Sequence, residues 1–190
     1  ATSKISKFDD LFRLGTFGFR GEALASAASV SRLRMSSRVL DRDRASVILS
    51  TFGKHEIAPE EPREPGTTVQ VSSLFDNVPA RLKFLKSEVQ EVSQIKRTLK
   101  ALALVHPRTE FLIRVEGVLV LHWPAREEWS ARVQDVLGIK NLLTAVGHES
   151  GWGVQACFTN PNETQKTSQN IWLFVNDRWV QDRSLQQAVM

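Results

Sequence analysis

Gly15, Gly18 and Gly21 fall within seven residues and run directly into Glu22-Ala23-Leu24-Ala25-Ser26-Ala27-Ala28. Glycines at the start of a helix let the backbone come close to a ligand. The first amides of that helix then point at whatever binds, with the positive end of the dipole behind them. Phosphate is the natural guest. The same spacing also suits a turn that only packs an alanine helix tightly onto a sheet, and spacing alone leaves both readings open. The P-loop arrangement of Lys and Ser/Thr after the second glycine is absent, and no strand precedes the glycines as a dinucleotide fold would require. The four histidines (His55, His106, His122, His148) never stand at metal-ligand spacing, and the single cysteine, Cys157, has no internal disulfide partner.

The elements that must position these residues read as a mixture. Residues 9–14 suggest a short helix begun by Asp9 or Asp10, and the alanine-rich stretch after Gly21 suggests a second. Residues 30–38 alternate, Leu33 and Met35 against Arg32 and Arg34, which predicts a strand with one wet face. Residues 45–52 make another strand, closed by Gly53. Residues 57–66 hold three of the seven prolines and read as a loop, because proline removes donors and restricts its predecessor. A strand over 67–73 and a polar turn around Pro79 follow. Ser87-Glu88-Val89-Gln90 is a capping-box pattern opening a helix with Val89, Val92, Ile95, Leu99 and Leu102 on one face, which ends before His106-Pro107. Residues 111–115 and 118–122 flank Glu116-Gly117 as a hairpin. Trp129, Val133 and Leu137, ending at Gly138, predict a helix, and residues 171–175 a buried strand. The class is α+β.

Composition bounds the rest. The 190 residues are 42% hydrophobic and 24% charged, which suits a folded chain, and no apolar run approaches the ~18 residues that span a bilayer. A net charge of +4 permits a polyanionic partner without requiring one. The chain starts Ala1-Thr2-Ser3-Lys4 with no signal-peptide pattern, and reads as cut open in mid-domain. The sequon Asn162-Glu163-Thr164 carries no weight without a secretory context.

Four signatures in one order settle a resemblance: Thr2-Ser3-Lys4-Ile5, Gly18-Phe19-Arg20-Gly21-Glu22-Ala23-Leu24, Gly66-Thr67-Thr68 and Asn77-Val78-Pro79-Ala80-Arg81. Together they resemble the MutL family of mismatch-repair ATPases, members of the GHKL class with gyrase and the histidine kinases. The likeness runs nearly the whole chain, through Phe174-Val175-Asn176-Asp177-Arg178. It implies a partial GHKL (Bergerat) two-layer α/β sandwich over residues 1–126. The beginning of a transducer domain resembling the second domain of ribosomal protein S5 would follow over 127–190. It implies that Thr2, Ser3 and Lys4 start a flexible ATP lid. Gly18, Phe19, Arg20, Gly21, Glu22, Ala23 and Leu24 would form the phosphate site, and Thr67 would lie near adenine. For Thr67 the plain alternative is a β-branched strand residue, and for Arg20 a solvated charge.

The resemblance places the catalytic glutamate, the Mg²⁺-binding asparagine and the adenine-reading aspartate ahead of the lid, and none is in this chain. Glu22 is no substitute, since it stands in the phosphate-binding helix and not opposite a water. No residue here is therefore assigned as catalytic or as a metal ligand, and the chain alone is expected not to turn over ATP. The intact protein would bind ATP and Mg²⁺, close as a homodimer, and meet DNA and the mismatch-recognition and downstream repair proteins. It would work in the bacterial cytoplasm, at the nucleoid, with no membrane partner. The rival class is a non-enzymatic DNA-binding or interaction module. Two departures from the family pattern stand out: Asp76 where an aromatic residue is usual, and Asp177 where glycine usually follows Asn176.

For DNA, the resemblance favours Arg178 and Arg183, although Asp177 and Asp182 offset their charge. The competing surface is the run Arg81, Lys83, Lys86, Lys96, Arg97 and Lys100, whose plain reading is a solvated helix face. Among the five tryptophans, Trp129 and Trp172 read as core and Trp179 as exposed, too few for a base-stacking platform.

Overall fold

The computed structural model describes residues 22–160 and 170–189, which divide into two compact units, residues 1–87 and 88–190. The expected helix over residues 9–14 lies outside the described residues. In the first unit, helix α1 (Ala23–Ser29) follows from its alanines, and only Ala28 is buried. Four strands come next: β1 (Arg32–Arg38), β2 (Arg44–Thr51), β3 (Lys54–Pro62) and β4 (Gly66–Ser72). They form one antiparallel sheet in the order β3-β2-β1-β4. Phe52 and Gly53 have φ of 49° and 85°, the left-handed pair that a two-residue hairpin turn requires. A short helix, α2 (Pro79–Leu82), lies within the expected polar turn.

The proline segment departs from expectation. Residues 57–62 are not a loop but the second half of β3. Two facts of the sheet permit this. β3 is an edge strand, so half of its amides need no partner strand. Ala58 stands opposite Val47 and Glu61 opposite Ala45, so Pro59 and Glu60 share the place opposite Ser46 as a bulge. An edge and a bulge are the two positions where a sheet tolerates proline.

Alternation puts Leu33, Met35, Ile48, Ile57, Val69 and Val71 on one face of this sheet. The opposite face is not simply wet. Ser36 is 1% exposed, and Ala45 and Val47 are also buried. The Ser36 hydroxyl donates to Glu61 Oε1 at 2.6 Å, Arg34 pairs with the same carboxylate, and Arg63 donates to the Ser36 carbonyl. The Ser36 hydroxyl, then Arg34 and Arg63, hold the Glu61 carboxyl below its ordinary value of 4.5, against a desolvation that pulls the other way. A carboxyl lowered in the folded state adds stability above its unfolded pKa, and that stability is lost as pH falls through the folded value. Glu61→Gln is therefore expected to be less stable than the parent near neutrality, with the gap closing below pH ~4.5. Urea unfolding at a series of pH values measures it, and a gap that does not vary with pH would remove the ionised carboxylate from the account.

The second unit opens with α3 (Glu88–Val105), directly after Ser87 and with Glu88 and Glu91 in its first turn, where the helix dipole favours acids. Hairpin β5 (Phe111–Val115) and β6 (Val118–Trp123), helix α4 (Trp129–Leu137), hairpin β7 (Leu142–Glu149) and β8 (Trp152–Thr159), hairpin β9 (Leu173–Val175) and β10 (Arg178–Val180), and α5 (Arg183–Val189) complete it. Each hairpin turns on two left-handed residues: Glu116-Gly117, Ser150-Gly151 and Asn176-Asp177. Asp177, at φ 60°, thus makes the turn for which glycine is usual. Gly138, at φ 69°, closes α4 by donating to the Gln134 carbonyl at 2.8 Å.

The core of this unit joins Ala103, Leu104, Ile113, Trp123, Val133 and Val136, with Leu99, Trp129 and Phe174 packed against it. Full burial of a side chain such as Leu104 or Val133 contributes roughly 2 kcal/mol. The expected apolar face of α3 is only half used: Val89 is 80% and Ile95 55% exposed, whereas Leu99, Ala103 and Leu104 pack. The reason is that α4 meets the last turns of α3, where Trp129 Nε1 donates to the Leu104 carbonyl at 2.9 Å. Position 126, where the sequence suggests a domain change, falls between β6 and α4, inside this unit.

Candidate nucleotide and nucleic-acid surfaces

Of the residues assigned to the nucleotide, Thr2, Ser3, Lys4, Gly18, Phe19, Arg20 and Gly21 lie outside the described residues. Glu22, Ala23 and Leu24 form the exposed first turn of α1, and the Glu22 side chain makes no capping bond. The amides at such a helix start have no intrahelical acceptor, and the positive end of the dipole there favours an anion.

The other end of α1 is bonded completely. The Ala27 carbonyl accepts from Val30 N at 3.2 Å and from the Ser31 hydroxyl at 2.6 Å. Ala28 O accepts from Gly53 N at 2.9 Å and Ser50 Oγ at 3.4 Å. Ser29 O accepts from Asn77 Nδ2 at 3.0 Å, and Val30 O from Phe75 N at 2.7 Å. The β2–β3 turn and the segment after β4 thus grip one end of the helix. A Cβ on Gly53 would stand 3.6 Å from Ser29 Cα, an ordinary contact, so it is the φ of 85° that favours glycine there. The Asn77-Val78-Pro79-Ala80-Arg81 signature acquires a physical task here, since Asn77 secures the far end of the helix that begins after Gly21. Sequence reasoning missed this task because the carbonyl and the amide that meet are 48 residues apart.

Thr67 stands exposed in β4, opposite Ser37 of β1, and the two hydroxyl oxygens are 2.8 Å apart. This bond occupies its hydroxyl in the sheet.

The second unit holds the residues assigned to DNA. Arg178 opens β10 and is half-buried, with its Nη2 fully covered; Arg183 opens α5 and is exposed. Asp182 caps α5, its Oδ1 accepting from Leu185 N at 2.9 Å. On the competing basic helix Lys96 and Lys100 are half-buried and Arg97 is exposed. Arg97 lies over the rings of Trp172 and Trp179, at 5.9 and 5.3 Å from their centroids. The two indoles are themselves 5.2 Å apart and tilted by 30°. Trp179 is therefore half-buried rather than exposed, and neither ring is a free stacking platform. Nothing in local sequence pattern signals this cluster.

Arg132 is the second residue that sequence reasoning missed. It is 0% exposed on α4, donates to the Pro107 and Thr109 carbonyls, and lies over the Phe111 ring at 5.7 Å. Burial lowers its pKa, Asp135 opposing. A cavity of about 840 Å³ in the same unit is lined by Trp129, Val133, Leu137, Cys157 and Phe174, and its burial pushes the Cys157 thiol up. This lining is mostly apolar, with Asp177 its charged residue, and offers no basic group to a phosphate. Among the described residues no cluster of three His, Cys, Asp or Glu side chains could hold a metal ion, and no helix is long and apolar enough to cross a membrane.

No family model matches the chain. Across its full length it is 39% identical to the DNA mismatch repair protein MutL of Syntrophus aciditrophicus and 39% to that of Xylella fastidiosa strain 9a5c, covering 31% of each. The MutL of Neisseria meningitidis serogroup B is 36% identical, with 29% of its length covered. The fold is similar to the Aquifex aeolicus MutL ATPase domain complexed with ADP, with a TM-score of 0.75 and 26% identity over 96% of this chain and 69% of that one. A second structure of that ATPase domain gives 0.71 and 25%, covering 90% of this chain and 67% of that one.

The chain belongs to the MutL family. It spans about a third of the length of the curated MutL relatives it matches. Its mixed helices and antiparallel sheets are those of the MutL ATPase-domain fold. Within this MutL-family chain, the glycine-bearing signature immediately precedes the exposed start of α1, while the Asn77 signature holds the opposite end.

Proposed function

We propose that this chain is part of a mismatch-repair ATPase in which ATP binding orders a lid and closes a homodimer, coupling mismatch recognition to later repair steps. The observation that carries this reading is the asymmetry of α1. Every carbonyl at its C-terminal end has a donor, so the helix is held rigidly, and its exposed amide end follows directly from Gly18-Phe19-Arg20-Gly21. A fixed dipole whose first amides lack intrahelical acceptors suits the phosphates of a nucleotide. The relatives' name supports the repair role, and the ADP-bound ATPase domain of similar fold supports the nucleotide.

In this reading Thr2, Ser3 and Lys4 begin the lid, and residues 18–24 meet the phosphates. Thr67 flanks the adenine site from β4. Residues 1–126 are the later part of the ATPase domain, and 127–190 begin the transducer domain. Mg²⁺ would neutralise phosphate charge when bound, with ligands from outside the described residues. This chain's own contribution is to bind and orient phosphate. The setting is the bacterial cytoplasm, with non-specific DNA binding through Arg178 and Arg183.

Gly21→Val in the full-length protein tests the phosphate site. A β-branched side chain where backbone must approach phosphate is expected to weaken ATP binding ~10-fold or more, the worth of a lost set of charge-assisted amide bonds. Calorimetric titration measures it. Unchanged affinity in a folded variant would reduce these glycines to packing residues.

A further inference from the structure

We propose that Arg97 is a positioning residue for the DNA-contacting hairpin, acting through a cation–π clamp rather than as a phosphate contact itself. The inference rests on the reading above that Arg178 and Arg183 meet DNA. Arg97 projects from the middle of α3, and its guanidinium lies within 6 Å of two ring centroids, Trp172 just before β9 and Trp179 in β10. Those rings bracket the turn that presents Arg178, and β10 touches α3.

Three physical points give the clamp its task. The β9–β10 ladder has only three paired positions, and a short isolated hairpin is marginal in water. Its turn runs through two non-glycine left-handed residues, Asn176 and Asp177, which add conformational cost. Phe174 and Trp172 tie β9 to the core, and on the β10 side a planar cation against two indoles supplies direction as well as attraction. Arg97 remains exposed, so salt dependence is what separates a clamp from a direct phosphate contact. The neighbours Lys96 and Lys100 carry no such contact among the described residues.

The test uses the full-length protein with Arg97→Ala and Arg97→Lys, on a duplex of arbitrary sequence across a range of salt. Tryptophan emission is recorded for each variant. Arg97→Ala is expected to shift the emission and weaken DNA binding about fivefold, while the slope of log affinity against log salt stays within ~0.3 of the parent. Arg97→Lys, which keeps a cation on the rings, should recover most of that loss. A slope lowered by ~0.9 with unchanged emission would make Arg97 an ordinary phosphate contact and overturn the proposal. An emission shift with unaltered affinity would overturn it too, since the clamp would then orient nothing that DNA reads. Arg178→Gln with Arg183→Gln separates the two levels. If that pair leaves the slope untouched, the DNA surface itself is misplaced and the clamp's role falls with it. If the pair lowers the slope and Arg97→Ala leaves affinity intact, the positioning role alone fails.

Discussion

Arg132→Ala is expected to destabilise the chain by about 3 kcal/mol. The guanidinium is fully buried, yet its role is not that of a simple ion pair. It donates to two main-chain carbonyls, Pro107 and Thr109, in the connection between α3 and β5. Truncation leaves both without that donor and opens a void beneath Phe111. Against this stands the cost of holding a charge out of water, which the lowered pKa reports. Asp135 offsets part of that cost by Coulomb attraction, although its own carboxylate is bound by Arg126 at 2.6 and 3.2 Å. Arg132→Met separates the contributions, because it fills most of the volume and removes both the charge and the donors. Its loss should be ~1–2 kcal/mol, between the parent and alanine. Urea unfolding followed by tryptophan fluorescence reads both variants. A methionine variant at least as stable as the parent would show that desolvation cancels the hydrogen bonds, leaving arginine here with no net stabilising role.

Replacing Arg178 and Arg183 together by glutamine is expected to flatten the dependence of log DNA affinity on log salt by nearly two units in the full-length protein. Each phosphate contact contributes a slope of about 0.9 on duplex DNA, through release of the counterions it displaces. The structure ranks the two residues. Arg183 is exposed at the first turn of α5, and the cap that Asp182 provides there holds that turn in place. Arg178 is half-buried with one nitrogen covered, so it should account for the smaller part of the change. ATP binding should be unaffected, because neither residue belongs to the nucleotide signatures. The matched control is Lys96→Glu with Lys100→Glu on α3. Should the lysine pair flatten the slope and the arginine pair leave it steep, the DNA surface is the helix and the arginines have no part in it.

What the sequence determined by itself was whatever a few neighbouring residues decide. Glu116-Gly117 announced a hairpin because a tight turn demands left-handed backbone at two adjacent positions. Trp129, Val133, Leu137 and Gly138 announced α4 because one helical face and one terminal left-handed residue are local requirements. The alternation of residues 32–35 announced β1 for the same reason. The family signatures were equally legible, since each is a short contiguous string.

Tertiary structure decided everything that depends on which strand is an edge and which groups meet across the chain. Pro59 and Pro62 read as loop-forming until β3 proved to be the sheet's edge with a bulge, where the missing amides cost nothing. Asn77 is a similar case: its side-chain amide reaches the Ser29 carbonyl across 48 residues and turns a sequence signature into a helix anchor. Arg34 looked solvent-facing by alternation, yet Glu61, 27 residues on, draws it and Ser36 into a half-buried network. Arg97 read as part of a solvated helix face until the fold set two indoles against it, and Arg132 drew no reading until the fold set two carbonyls against it. Local pattern records backbone preference and average burial. It does not record the partner of a polar group, because that partner is chosen only when distant segments pack.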